Sequence, residues 1–398
     1  MKKIIIIGGG AAGIFGAIRA AELNPDAQIV VLEKSNQLLG KVKISGGGRC
    51  NVTHACFVPE ELITFYPRGG KELLGAFHQF MPTNTFEWFQ QRGVELKTEA
   101  DNRVFPKSDK SQTIIDCFLN ECHKRGVKII TACGVQRIQK NENGFQLDTE
   151  QGLMNADAVL LATGSSPKMW DIIKELHLEI IPPVPSLFTF NINDARIKEL
   201  PGLSVPNAIV QPENSTVISR GPLLITHWGM SGPAILKCSA WAARELADIN
   251  YNFSLRVNWT GIPLKEVQTS LKKQRDLEGK KICGTNPQFG IPTRLWKSLT
   301  EHLSIDQLKW ASMSNKQLDQ LADELAHALY TVNGKSTFKD EFVTSGGISL
   351  QEVNMKTMES KKIPGLFFAG EVLNIDAVTG GFNIQAAWTT SWIAAGNL

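Results

Sequence analysis

Short apolar runs that end in glycine recur at three widely separated places in the chain. Lys3 to Ile7 is one such run, rich in β-branched residues, which is the pattern of a strand buried on both faces. Gly8-Gly9-Gly10-Ala11-Ala12-Gly13 follows it, and alanine-rich helical sequence then continues to Leu23. Asn24-Pro25-Asp26 breaks that helix, and Gln28 to Leu32 reads as a second strand that ends at Glu33. This is a βαβ unit. Further on, Ala158-Val159-Leu160-Leu161-Ala162 ends in Thr163-Gly164, and Gly365-Leu366-Phe367-Phe368 ends in Ala369-Gly370-Glu371. Three buried-type strands ending in glycine predict one parallel sheet whose carboxyl ends line a ligand crevice.

The stretch from about Leu187 to Lys335 has a different pattern. Up to Trp259 it shows short strand-like runs separated by turns, such as Thr216 to Ser219, then Arg220-Gly221-Pro222, then Leu223 to Thr226. From Leu264 to Tyr330 it becomes polar and helical, with Leu, Trp and Ala at three- and four-residue spacing over Leu303 to Leu329. The fold class predicted is α/β, a discontinuous Rossmann-like domain formed by residues 1–187 and 336–398. An inserted β domain would cover 188–263, with a closing strand near 331–345, and a helical insert would cover 264–330.

With 398 residues the chain fits two or three domains. Its apolar fraction of 42% and charged fraction of 20% describe a globular protein, and a formal net charge of +3 excludes a strongly basic nucleic-acid binder by bulk charge. The apolar run at the start stops after Ile7, too short for the core of a signal peptide. No later run approaches the ~18–20 residues that span a bilayer, so no membrane association and a cytoplasmic location are expected. The seven cysteines form no CxxC pair, and the seven histidines show no HExxH spacing, so neither a disulfide framework nor a metal is expected.

The chemistry starts with Gly8-x-Gly10-x-x-Gly13. Gly8 permits the tight turn out of the strand, Gly10 lets backbone approach a pyrophosphate, and Gly13 lets helix and strand pack closely. The helix N-terminus adds unsatisfied amides and a positive dipole end. Glu33 lies twenty residues beyond Gly13, where an acid binds adenosine-ribose hydroxyls and disfavours a 2′-phosphate. FAD and NAD both satisfy this motif. Lys41 to Asn51 reads as a second glycine-rich loop. There Ser45, Arg49 and Asn51 are donors, Lys41 and Arg49 are charges, and Gly46 and Gly47 are exposed backbone. Cys50 is a weak catalytic candidate beside the reading of a small packing residue, because no resolving cysteine neighbours it.

The C-terminal stretch selects the cofactor. Gly370-Glu371 ends a buried strand, and Gly380-Gly381-Phe382-Asn383 opens a helix through Ala395. An acid at that strand end can accept from ribityl hydroxyls, and a helix N-terminus can stabilise negative charge on a reduced flavin. A nicotinamide needs no such element, so FAD is expected. Outside these motifs, Gly229-Met230-Ser231-Gly232-Pro233 is no nucleophile elbow, because Pro233 stands where the second glycine belongs. His227, at a strand end, is the second weak catalytic candidate, weighed against a structural histidine. Arg103 and Lys107 are a candidate anion contact or a solvated turn. Lys272, Lys273, Arg275, Lys280 and Lys281 form a solvated helix face or an RNA contact.

Together SGGGRCN at 45–51, RVFP at 103–106, THWGMSGP at 226–233, TSGGI at 344–348, TMESKKIPGLFFAGEVL from 357 and TGGFNIQAAW up to 388 resemble the HI0933-like (BaiN/YhiN-like) family of flavoproteins. The resemblance implies an FAD-binding Rossmann-like domain interrupted by a β-barrel and a helical domain. Carried over by motif, the implied cofactor contacts are Gly8, Gly10, Ala11, Ala12 and Gly13, then Glu33 and Lys34. Lys41, Ser45, Gly46, Gly47, Arg49, Cys50 and Asn51 follow in the second loop, and Val135 stands where such folds meet adenine. Ala162, Thr163, Gly164, Gly370, Glu371, Gly381, Phe382 and Asn383 complete the set. Two positions depart from the family pattern: Asn374 replaces an aspartate, and Phe382 replaces a tyrosine.

The resemblance further implies an FAD-dependent oxidoreductase, with NADH or NADPH feeding reduction of an activated C=C bond. The substrate is a small molecule or ribosomal RNA, and uridine reduction is the specific candidate. A flavin-dependent amine oxidase and a steroid-acid-like ene reductase are the alternatives, and an RNA- or protein-binding module with structural FAD is the non-enzyme rival. No second GxGxxG follows a strand, so nicotinamide would bind transiently against the flavin, or the reductant is something else.

Overall fold

A computed structural model describes residues 1–336 and 343–398. It divides into two compact units, Met1–Val184 with Lys339–Leu398, and Pro185–Phe338.

The first unit is built on a sheet containing β1 (Lys3–Ile7), β2 (Gln28–Leu32), β3 (Lys128–Ile130), β4 (Ala158–Leu161) and β5 (Leu366–Phe368). The spatial order of these five is β5-β4-β1-β2-β3, all parallel, with two short antiparallel strands, Glu359–Ser360 and Val353–Asn354, beyond β5. Ile4, Ile5 and Ile6 in β1 are fully buried, as are Val159, Leu160 and Leu161 in β4. Their continuous apolar runs follow from helices covering the sheet. Helix α1 (Ala11–Leu23) packs against α3 (Phe382–Ala395), the two meeting where Ser391 Oγ donates to the Ala12 carbonyl at 2.7 Å. Because all five strands run the same way, Gly8, Glu33, Ala162 and Gly370 come out at one edge of the sheet.

One expectation about local structure is corrected here. Lys41 to Asn51 is not loop throughout: α2 spans Gly40–Gly48, with non-helical geometry at Ser45, Gly46 and Gly47. A single helical turn forms first, and Ser45 (ψ 144°) then breaks it into a left-handed run at Gly46, Gly47, Gly48 and Cys50.

The second unit carries a seven-stranded antiparallel sheet. Its order is Ala328–Asn333, Asn252–Asn258, Ser204–Pro212, Ser219–Thr226, Gly229–Ser231, Thr189–Asn191, Lys335–Ser336. The two edge strands are separated in sequence only by Gly334, whose carbonyl accepts from Asn191 N–H at 3.1 Å, so the sheet curls until its edges approach. Helices Leu264–Leu277, Thr293–His302 and Asn315–His327 share one continuous core with this sheet, including Trp259, Trp296 and Trp310.

Two sequence readings fail in this unit. Arg220-Gly221-Pro222 is not a turn but lies inside the strand Ser219–Thr226, while most of Thr216 to Ser219 is irregular. The partner strand carries a bulge between Val205 and Ala208 opposite this point, and a bulge accommodates the N–H that Pro222 lacks. Over Leu303 to Leu329 the α-helix covers only Asn315–His327, preceded by a single 3₁₀ turn at Trp310–Ser312. Ser314 starts it with a capping box, and Ala328, Leu329 and Tyr330 belong to a strand. Of the closing strand expected near 331–345, residues 337–342 lie outside the described residues.

Candidate functional site at the strand ends

The site begins at the turn after β1. Gly8 N–H donates to Leu32 O at 2.8 Å, and Gly9 N–H donates to Glu33 Oε2 at 2.8 Å, tying the ends of β1 and β2 together. The other carboxylate oxygen of Glu33 accepts from Ser35 N–H at 2.9 Å, which fixes the side chain at the strand end. A Cβ on Gly13 would lie 1.8 Å from Gly8 O, so only glycine allows α1 to start this close to the turn. At Gly10 the opposite holds. It is the N-cap of α1, has no side-chain cap, and a Cβ built on it meets nothing within 4 Å. The turn is closed on its protein side and open on the other.

The glycine-rich segment bridges two helix starts. Leu39 N–H donates to Gly9 O at 2.9 Å, anchoring the beginning of α2 to the first turn. At the other end Asn51 is buried, its amide nitrogen donating to Thr53 O (3.0 Å) and Val104 O (3.2 Å) and its oxygen accepting from Gly381 N–H (3.0 Å). Gly381 is the left-handed N-cap of α3 (φ +94°), and a Cβ there would meet Thr53 O at 2.5 Å. Between these anchors Gly47 and Gly48 face open space.

Several expected residues are already engaged by protein. Lys41 pairs with Glu371, uniting the second loop with the end of β5. Arg49 stacks 3.8 Å above the Phe105 ring and pairs with Glu99 at 2.6 Å, which raises its pKa. Lys34 donates to Ser166 Oγ at 3.2 Å, and Asn383 clamps Ala377 through two bonds of 2.9 and 3.0 Å. Ser45 Oγ donates to Val42 O at 3.0 Å, and Thr163 Oγ1 donates to Gly164 O at 3.4 Å. Ala11 and Ala12 lie in the first turn of α1, and Gly370 N–H donates to Thr390 Oγ1 at 2.9 Å. Val135 is buried and opens a strand, next to Gly134, whose N–H donates to Glu150 Oε2 at 2.9 Å.

The two catalytic candidates sit in unlike surroundings. Cys50 is fully buried, and burial pushes its thiol up to about 12, so it is protonated at neutral pH. His227 is exposed, in the second unit, at the turn after the strand Ser219–Thr226.

Sequence reasoning missed an aromatic cluster at the start of α3. Phe382 is 1% exposed and stacks on both His54 and Phe65 (ring centroids 4.3 Å in each case), the three rings forming one cluster, while Tyr66 Oη donates to its carbonyl at 2.6 Å. His54 Nδ1 lies 3.0 Å from the Gly380 carbonyl, and desolvation lowers its pKa. A cavity of about 650 Å³ opens beside it, lined by His54, Phe57, Glu60, Glu61, Phe65 and Asn102 among others. Arg68 forms a two-pronged ion pair with the fully buried Asp376 nearby in the chain fold. No motif spacing joins residues 54–68 to 376–382, so only the fold brings them together.

The HI0933-like protein Rossmann domain matches residues 2–397. The chain belongs to the HI0933-like family of FAD-dependent flavoproteins. It is an FAD-dependent oxidoreductase, in agreement with the resemblance its motifs carry. It is similar to the ribosomal RNA dihydrouridine synthase of Escherichia coli K12, 29% identical over 406 residues, covering 99% of this chain and 97% of that protein. It is also similar to the 3-dehydro-bile acid delta(4,6)-reductase of Clostridium scindens, 28% identical over 413 residues, covering 99% and 98%. Among solved structures, the 3-ketosteroid-delta4-(5alpha)-dehydrogenase of Rhodococcus jostii RHA1 shares the fold. Its TM-score is 0.52 at 13% identity, with 99% of this chain and 97% of that one covered. Among the described residues no helix is long and apolar enough to cross a membrane, and no group of three or more His, Cys, Asp or Glu could hold a metal.

Proposed function

We propose that this family member reduces an activated C=C bond with electrons from NADH or NADPH, and that a uridine of ribosomal RNA is its substrate. The observation that carries the reading is a pair of full-length relatives of near-equal identity whose names both denote saturation of a C=C bond. The residues at the strand ends fit FAD. Open space at Gly10 suits a pyrophosphate beside the first-turn amides of α1. Glu33 is held at the end of β2, where it can accept from ribose hydroxyls, and Gly164, Glu371 and the first turn of α3 supply polar groups for the remainder. With its side chain closed in and its carbonyl held by Tyr66, Phe382 leaves its backbone N–H for any such contact. FAD, when bound, supplies hydride chemistry, and the protein supplies binding, orientation and electrostatics.

Saturating a C=C bond adds a hydride to one carbon and a proton to the other. His54 is the group of this chain that we assign to the proton. The Gly380 carbonyl holds Nδ1–H, so Nε2 would take up a proton from solvent in the adjoining cavity, giving the imidazolium, and pass that proton to the second carbon as the ring returns to its neutral form. The cavity itself favours a second reading. At about 650 Å³ it would accept a whole small molecule, which suits a steroid-acid-like ene substrate.

Two experiments test the proposal. Anaerobic NADPH or NADH should bleach the flavin band near about 450 nm; an inert flavin would remove nicotinamide as donor. Nucleoside mass spectrometry of ribosomal RNA from a deletion strain should show loss of dihydrouridine. Unchanged RNA beside an accumulated unsaturated metabolite would favour the small-molecule reading.

A further inference from the structure

We propose that the His227-Trp228 turn of the second unit is a stacking platform for one unpaired base of single-stranded RNA. The inference rests on the RNA reading above, but it concerns a separate surface. Trp228 is 61% exposed at the tip between the strands Ser219–Thr226 and Gly229–Ser231. Its backbone is firmly held: Trp228 N–H donates to Thr226 Oγ1 at 3.3 Å, and its carbonyl accepts from Ile192 N–H at 2.9 Å. Gly229 follows at φ +145°, and a Cβ there would meet Phe190 O at 2.3 Å. The indole is therefore presented to solvent from a turn whose backbone is held on both sides.

A cavity of about 340 Å³ adjoins the ring, and its wall is mixed, with Ile192 and Ile197 beside Asn191, Asn193, Asn333 and Lys198. Carboxamides offer both donors and acceptors, which is the hydrogen-bonding character of a base edge. Asn191 Oδ1 accepts from Ser336 Oγ at 2.6 Å, which directs its remaining capacity to donation. The one carboxylate in the wall, Asp194, is held by Arg196 through contacts of 2.8 and 2.9 Å, and the same guanidinium also pairs with Glu324 at 2.8 Å. Lys198 is exposed and supplies a single cation. A flat aromatic face, carboxamides in the recess beside it and one positive charge match a nucleotide, whose base combines an apolar face with polar edges.

The test uses the full-length flavoprotein and fluorescein-labelled oligouridylate of about eight nucleotides, followed by anisotropy. Trp228→Ala should weaken binding about tenfold, the parent should bind an abasic strand as weakly as the variant binds the intact one, and Trp228→Phe should keep most of the affinity. Asn193→Ala should also weaken binding, which guards against a fold defect at Trp228, as does an unchanged flavin content. Equal affinity of parent and Trp228→Ala, equal affinity for the abasic strand, or no binding by the parent would each overturn the platform. Dihydrouridine formation measured on the same preparations separates the two claims. Turnover of RNA with Trp228-independent binding would remove the platform alone, whereas Trp228-dependent binding without turnover would remove the uridine reaction alone.

Discussion

The two units place their recognition chemistry on different parts of the chain. In the first, the strand-end site is made largely of backbone: the turn at Gly8 to Gly13, the left-handed run after Ser45, and the starts of α1 and α3. In the second, the surface around Trp228 is made of side chains displayed on a backbone that is itself unremarkable antiparallel sheet. A backbone-built site demands glycine wherever a Cβ would collide or block approach, and these requirements leave a readable trace in sequence. A side-chain-built site requires mainly that certain residues become neighbours in space, so beyond the local turn around Gly229 its assembly from Asn191, Asn193 and Asn333 leaves little trace.

The comparison breaks most severely at Gly13. A Cβ 1.8 Å from Gly8 O cannot be absorbed by a flexible side chain, so Gly13→Ala should cost more than about 3 kcal/mol and yield little folded protein. Soluble expression and thermal unfolding check this. Gly10→Ala sharpens the contrast, because the same added carbon meets nothing within 4 Å. It should leave the fold intact while weakening FAD by about tenfold, the cost of one crowded charge-assisted contact. If both variants behave alike, the turn is a packing feature and no more.

Glu33→Ala comes next in size. Losing charge-assisted bonds to ribose costs on the order of 1.5–3 kcal/mol, so FAD should bind about 10- to 150-fold more weakly. Flavin retention through gel filtration and a fluorescence titration of re-added FAD both report it. The smallest effect is expected at Cys50, whose buried thiol is held near 12. Cys50→Ser should change the rate of flavin reduction by no more than about twofold. Loss of reduction with FAD still bound would show a chemical role that burial gives no reason to expect.

The legibility of the molecule follows the same division. β1, α1 and β2 were readable because a β-branched run, a glycine turn and an alanine-rich helix agree with one another at every position. β4 and β5 were readable as short apolar runs ending in glycine, which placed them in one parallel sheet with β1, but their order, β4 against β1 and β5 beyond it, was not. The α2 turn was hidden because five helical residues precede glycines that dominate the composition of the segment. The strand through Gly221-Pro222 was hidden because the bulge that tolerates the proline lies on its partner. Phe382 shows the limit most plainly: its position beside a cofactor motif was visible, but its enclosure by His54 and Phe65 depends on a segment more than three hundred residues earlier.

The central claim is that the strand-end site of the first unit holds FAD through its backbone turn and Glu33. Denaturing the purified protein and separating the released flavin by chromatography tests it most directly, with Glu33→Ala carried alongside. The account predicts a yellow parent protein that releases FAD in close to equimolar amount, and a variant that loses most of it on gel filtration. FMN in place of FAD, a colourless parent that added FAD does not restore, or full FAD retention by Glu33→Ala would contradict it.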